Sequence, residues 1–418
     1  MKKVIILLCL FFATLTGYSQ QWSFLGLPNK NIGVIEVHPV NPNIILAADK
    51  GMTGHVYKSS NAGLTWDTVT YDPYNSFWFD LENPDTVFAS FGIGCFDDGI
   101  YYSTDEGSTW QNLNWFYGPT CIIKVPYLGI LIAGTKGGGV YRSVNNGANW
   151  VQINDSLDNN NVLSLTLAYL PIVPPAPMVL YVAGTKGGIY YYSDYLLVNP
   201  PSDYWHSTNT AVNSIIPAVT SNGGNEVWAA MGGGSWSDGM YHSIDFGVTW
   251  SVSEYWPYIT DILMNPANGN TIYAADSGSG VKMTNNNGLS WKKINSNLGD
   301  SVVFCLAQGT SDTTRLYAGT SHGIYVWDVS AGVGCSDKDL NDQVALSPNP
   351  AKDVISIMIP QQEPYINVNI SDVNGKVIKN YHFSGDKTEI SIDDLAKGLY
   401  LVEINLGKSR VFKKFVKD

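Results

Sequence analysis

SSNAGLTW, residues Ser59 to Trp66, decides the fold because it recurs. The chain repeats it as STDEGSTW from Ser103 to Trp110, SVNNGANW from Ser143 to Trp150, SIDFGVTW from Ser243 to Trp250 and TNNNGLSW from Thr284 to Trp291. The shared pattern is Ser/Thr, any, Asp/Asn, any, Gly, any, any, Trp. Its chemistry is that of a tight turn. Asp or Asn bonds its own backbone, Gly supplies a positive φ two residues later, and Trp opens the next strand and packs beneath the turn. Asn61, Gly63 and Trp66 fill these roles first. Asp105, Gly107 and Trp110 follow, then Asn145, Gly147 and Trp150, then Asp245, Gly247 and Trp250, and last Asn286, Gly288 and Trp291.

Outside each copy lie two short β-rich stretches, such as HVYKS before and WDTV after, so each turn joins antiparallel strands. Copies recur at a period of roughly forty residues, the spacing of a four-stranded propeller blade. The five copies resemble the Asp-box, or bacterial neuraminidase, repeats of sialidases, sortilin-type receptors and xyloglucan-degrading enzymes. HPVNPN from His38, MNPANGN from Met264, AGTKGGGVY from Ala133 and AGTKGGIYY from Ala183 resemble the other loops of such repeats. The resemblance implies an all-β chain with a seven-bladed β-propeller, in which the box is a fold element. Blades are expected to begin near residues 30, 74, 118, 160, 211, 258 and 300. The fourth has no box, since Ser193 and Asp194 lead into a proline-rich insert before Trp205. The seventh ends at Trp327 without a fourth strand. Trp22–Leu25 resembles Trp66–Val69 and is expected to complete it, closing the ring and removing the open edge.

The first twenty residues read as a cleavable signal peptide: Lys2 and Lys3, an apolar run from Val4 to Thr14, then Gly17 and Ser19. The run is too short to span a bilayer, and no later stretch is long and apolar enough either. Cys9 lies in that run behind leucines, where lipid attachment is not expected. Residues 21–328 are assigned to the propeller and 329–345 to a linker. Residues 346–418 alternate strands with Asn-Gly and Lys-Gly turns, as a small C-terminal β-sandwich would. They resemble the type A C-terminal sorting domain of the type nine secretion system, through Pro348, Asn349, Pro350, Asp372, Gly375, Gly398, Tyr400, Lys413 and Lys414. This implies the type nine machinery as a partner, and a product secreted or attached to the outer surface rather than integral to a membrane.

The formal net charge is −12. Removing Lys2 and Lys3 makes it −14, and residues 341–418 hold ten acids and ten bases. The whole excess therefore sits in residues 21–340, which argues against nucleic acid as a partner. Cys95, Cys121, Cys305 and Cys335 remain after cleavage. None has zinc-ligand spacing, so no metal and no cofactor are expected. Cys95–Cys121 is the expected disulfide and Cys305–Cys335 a second candidate, against the alternative of buried free thiols.

Propeller architecture puts ligands on the face that carries the loops between strands two and three and between blades. Asp49, Asp97, Asp98, Asp238, Asp261 and Asp276 are placed there. Tyr74, Trp78, Trp115, Phe116, Tyr117, Trp236, Tyr255, Trp256 and Tyr258 form an aromatic set on the same face. Rings beside carboxylates suit carbohydrate, although such rings also pack blade against blade. A glycosidase needs two carboxylates roughly 5–10 Å apart, and Asp49 and Asp261 are the candidate catalytic acids. Sialidases grip their substrate with three arginines. Residues 21–340 contain two, Arg142 and Arg315, so sialidase activity is excluded. The sequence points to an exported, non-catalytic propeller that binds glycan or protein. A polysaccharide-active glycoside hydrolase or lyase is the alternative, and an assembly or chaperone-like factor a third reading.

Overall fold

The computed structural model describes residues 21–51, 54–72, 74–92, 98–115, 117–169, 178–195, 204–208, 215–221, 225–329, 344–372, 376–406 and 409–418. The expected signal peptide and residues 330–343 of the expected linker lie outside them. The chain divides into two compact units, one of which is Gln20–Val329.

That unit is a seven-bladed β-propeller of four-stranded antiparallel sheets. The inner strands are Ile32–Val37, Tyr74–Phe79, Pro119–Val125, Val162–Tyr169, Ala218–Ser221, Ile259–Met264 and Val303–Gln308. Second strands such as Ile45–Asp49, Val87–Phe91 and Ile130–Thr135 are apolar and almost wholly buried, because they pack on blades to both sides. Six inner strands carry a register shift at the same place, for example between Ile32 and Val34 and between Val303 and Cys305. The residue opened out by this bulge ties one blade to the next. Asn75 Nδ2 donates to Pro119 O at 2.9 Å, Thr120 Oγ1 to Val162 O at 2.7 Å, and Thr260 Oγ1 to Val303 O at 2.7 Å. Trp22–Gly26 pairs antiparallel with Gly323–Asp328, with Trp22 opposite Trp327, so the N-terminal strand completes blade seven.

All five repeated turns share one hydrogen-bond pattern. The Ser/Thr hydroxyl accepts the Gly N–H, at 2.8 Å for Gly63, Gly147 and Gly247, 2.9 Å for Gly107 and 3.0 Å for Gly288. The Asp/Asn Oδ1 accepts the N–H four residues on, at 2.8–3.0 Å. Positive φ was expected at the glycine alone. The preceding residue has it too: Ala62, Glu106, Asn146, Phe246 and Asn287 all lie between 52° and 64°. Each glycine also meets the preceding blade. A Cβ on Gly63 would stand 2.4 Å from Leu25, and one on Gly147 2.3 Å from Leu113. The turn therefore needs glycine for space as well as for φ.

The tail forms a five-stranded sheet with its own core of Ile355, Ile357, Val368, Ile370, Val402, Ile404 and Phe415. Tyr400 stacks on Phe415 and donates its hydroxyl to Ala396 O at 2.8 Å. Asn349 accepts the Val416 N–H at 2.9 Å and donates to Lys414 O, which fastens the Pro-Asn-Pro segment to the last strand. Lys413 and Lys414 lie in that strand, Ser409–Lys417. Asp372 Oδ1 accepts the Lys376 N–H across the turn whose Gly375 lies outside the described residues.

The cysteines correct the disulfide expectation. Cys121 and Cys305 are buried free thiols. The Cys121 sulfur packs into the gap between Gly134 and Val162, towards blade four rather than blade two. Cys305 Sγ faces Gly319 and donates to Ile32 O at 3.8 Å. Burial pushes both thiols up, Cys121 to about 11. Cys95 and Cys335 lie outside the described residues.

Candidate functional site

In an up-and-down blade, the strand two–three loops and the crossovers between blades emerge at one end. The repeated turns emerge at the other. At the first end, five large rings among the described residues have most of their surface in solvent: Tyr71, Tyr117 and Tyr258 in crossovers, and Trp115 and Tyr255 as the last residues of fourth strands. Tyr71 was not singled out from the sequence. It directly follows a fourth strand, Asp67–Thr70, and that position could have found it. The other expected rings are packed. Tyr74 lies in the core of blade two, Trp78 between blades two, three and four, and Trp256 is buried with Lys282 Nζ 4.2 Å over its ring. Phe116 and Trp236 lie outside the described residues.

The carboxylates at this end are engaged with the chain itself. Asp98 Oδ2 accepts the Gly118 N–H at 2.9 Å. Asp276 Oδ1 accepts from Gly278 and Ser279 at 2.7 and 2.6 Å, and burial outweighs these bonds in raising its carboxyl above the ordinary range. Asp238 is buried, and its backbone carbonyl takes the Trp256 N–H. Asp97 lies outside the described residues. Asp49 ends the second strand of blade one rather than lying in a loop. It accepts the Tyr57 hydroxyl at 2.9 Å, with Lys30 Nζ at 3.7 Å and His55 Nδ1 at 3.4 Å.

Asp261 lies just past the inner-strand bulge of blade six. It accepts the Leu306 N–H of blade seven at 2.7 Å and that of Ile262 at 2.8 Å. Burial raises its carboxyl to about 7 despite these bonds. Glu36, missed in the sequence, sits in the inner strand of blade one, and burial raises it to about 8. An acid inside the otherwise apolar run Ile-Gly-Val-Ile-Glu-Val was the available signal. The two groups belong to inner strands, with blade seven between them.

Two further clusters resemble reaction centres but have the wrong chemistry. His38 Nε2, Asp85 and Glu106 present ligand atoms within 4.8 Å of one another. His38 Nδ1 already accepts the Val40 and Asn41 N–H groups at 3.1 and 2.9 Å. The neutral ring must then hold its proton on Nε2. A metal would have to displace that proton, so His38 is a turn cap, as Asn265 is in blade six. In blade seven, Ser321 Oγ and Asp300 Oδ2 both contact His322 Nδ1 at 2.9 Å. A serine nucleophile needs the base at Nε2, with the acid on Nδ1. Here both address the same nitrogen.

Comparison with known proteins fits this architecture. Residues 345–418 match the family described as "Secretion system C-terminal sorting domain", so the tail is a type nine sorting domain. Among solved structures, YCF48 from Cyanidioschyzon merolae is similar with a TM-score of 0.53 at 14% identity, over 74% of this chain and 99% of that one. PorZ of Porphyromonas gingivalis, titled an essential bacterial surface component of the type-IX secretion system, has a TM-score of 0.54 at 16% identity. That match covers 95% of this chain and 60% of PorZ. The Niastella koreensis GH74 enzyme has a TM-score of 0.58 at 15% identity, over 94% of this chain and 74% of that one. At such identities the likeness establishes the fold. No curated protein sequence matches the chain. The molecule is thus a propeller protein carrying a type nine export tail.

Proposed function

We propose that this chain is an exported, non-catalytic propeller that captures polysaccharide on its crossover face, at or beyond the cell surface. The observation that carries the reading is the set of five exposed rings among the described residues, all at the crossover end of the propeller. Exposed rings spread over separate blades favour the C–H faces of sugars over a continuous apolar protein interface. Asp98, Asp261 and Asp276 hold backbone amides, as a rigid binding platform requires and a catalytic pair does not. The description of PorZ as a surface component supports the location.

The test is a polysaccharide panel assayed with the mature chain for retention and for reducing-end release. Retention without release is expected. Release would move the function to the glycoside hydrolase reading, which the raised carboxyls of Asp261 and Glu36 favour, since a general acid must hold its proton near neutral pH. Deleting residues 346–418 is expected to leave the chain in the periplasm, scored by cell fractionation. Normal secretion of that truncation would refute the role of the tail.

A further inference from the structure

The fourth strand is five residues long in blade two, Gln111–Trp115, and in blade five, Ser251–Tyr255. In blades three, four and six it is two residues long. It is also five residues long in blade seven, Trp22–Gly26, and four in blade one, Asp67–Thr70, but only in blades two and five does it end on an exposed ring. Trp115 pairs with Gly99, and Tyr255 with Gly239. Both pairings shift register at the next residue, between Ile100 and Tyr101 and between Met240 and Tyr241. Both need glycine: a Cβ would stand 2.4 Å from Asn114 O at Gly99 and 2.2 Å from Glu254 O at Gly239. A buried aspartate precedes each glycine, Asp98 and Asp238; the Asp98 carboxylate accepts the Gly118 N–H of the following crossover, and the Asp238 backbone carbonyl accepts that of Trp256. A second exposed ring then follows, Tyr117 after Trp115 and Tyr258 after Tyr255.

The likeness extends into the next blades. FDDGIYYSTDEGSTW from Phe96 aligns with WSDGMYHSIDFGVTW from Trp236. Blades three and six both carry Asn in the repeated turn and end in an Ile-Asn turn, at Ile153 and Ile294. Blades four and seven both lack the turn. Blades two and five therefore match each other in the crossover end, and the blades that follow each of them match in the features just named.

We infer that the crossover face carries two equivalent polysaccharide subsites, one built on Trp115 and Tyr117 and the other on Tyr255 and Tyr258. They lie three blades apart and grip a repeating chain at two points. The inference rests on the polysaccharide reading above. A polymer offers the same unit at many spacings, so the second contact forms at a raised effective concentration. Such linkage can strengthen binding by 10²–10⁴-fold without any new contact. A ligand with one recognition element gains nothing from a second identical site.

The experiment is affinity electrophoresis of the mature chain through gels holding barley β-glucan, xyloglucan, galactomannan or pectin. Wild type is run beside Trp115→Ala/Tyr117→Ala, Tyr255→Ala/Tyr258→Ala and the fourfold variant. These rings are exposed, so melting temperatures should be unchanged, which separates binding loss from misfolding. In the gel that retards wild type, each double variant should bind weaker by on the order of 10²-fold, and to a similar extent. The fourfold variant should migrate as it does in a plain gel. If one double variant matches wild type, or one alone equals the fourfold variant, the two-subsite inference falls while polysaccharide binding stands. Wild type unretarded in all four gels overturns both.

Discussion

The seams in front of the five blades with the repeated turn differ from those in front of blades four and seven. In the first kind, the turn of one blade sits on the blade before it. Gly63 meets Leu25, Gly147 meets Leu113, and Gly247 meets Val182. In blades three and five the turn's Trp closes locally, as Trp150 and Trp250 donate their indole N–H to Gly147 O and Gly247 O at 2.9 and 2.8 Å; Trp291 of blade six donates to a side chain instead, Ser253 Oγ, at 3.1 Å. In the second kind no turn fills the seam, and the preceding blade folds into it instead. After a two-residue fourth strand, Ile153 and Ile294 are buried. Asn154 and Asn295 accept the Val140 and Val281 N–H groups at 2.7 and 2.8 Å. The incoming Trp is then hooked backwards. The Trp205 backbone N–H donates to Asp155 O at 2.9 Å and its indole to Ile153 O at 2.6 Å. The Trp22 backbone N–H donates to Ser296 O at 2.8 Å and its indole to Ile294 O. One of these tryptophans follows a long insert, and the other comes from the opposite end of the propeller sequence. The same geometry at both teaches that the seam selects its filling, whatever its origin in the chain.

The comparison breaks most severely at the closure. Starting the mature chain at Leu27 removes Trp22–Gly26 and exposes the edge of Gly323–Asp328. Size-exclusion chromatography should show loss of the monomer to aggregates. Next come Trp22→Ala and Trp205→Ala, each expected to cost roughly 3–5 kcal/mol in chemical denaturation. Trp66→Ala should cost less, about 2 kcal/mol, since Trp66 is only half-buried and its indole N–H has no partner among the described residues. Equal losses at Trp22 and Trp66 would erase the distinction between the two seams. Gly147→Ala should follow at roughly 1–3 kcal/mol, from the Leu113 contact and the φ of 87°.

Two smaller effects depend on pH. Burial would raise Asp105, but hydrogen bonds from Ser103 and Thr109 outweigh it and hold the carboxyl at about 2. Its folded value lies below its unfolded one, so its contribution is full above the ordinary carboxylate range and lost as pH falls towards 2. Asp105→Asn should flatten stability between pH 5 and 2 in urea titrations; an unchanged slope would show that the bonds do not discriminate charge. Asp261 has the opposite sign. Its folded value of about 7 lies above the unfolded one, so stability falls as pH rises from about 4 to 7. Asp261→Asn keeps an acceptor for the Leu306 N–H and should gain on wild type across that window.

Much of this was legible in the sequence. The spacing of the five turns carried blade size, blade count and the two exceptions. The likeness of Trp22–Leu25 to Trp66–Val69 carried the closing strand. The site was far less legible. Trp115 and Trp256 look alike as crossover rings, yet one stands in solvent and the other lies under Lys282. Cys121 looked like half of a disulfide and turned out to face Val162. Glu36 sat unnoticed in an inner strand.

By itself, the sequence determined what is local and repeated: turn chemistry, strand alternation and the sorting tail, because those depend on residues a few positions apart. Only the tertiary structure decided which rings remain in solvent, which acids hold backbone amides and how a seam without a turn is filled. Those outcomes depend on contacts between blades. Trp22 with Ile294, or Asp261 with Leu306, meets its partner only once seven sheets have closed into a ring.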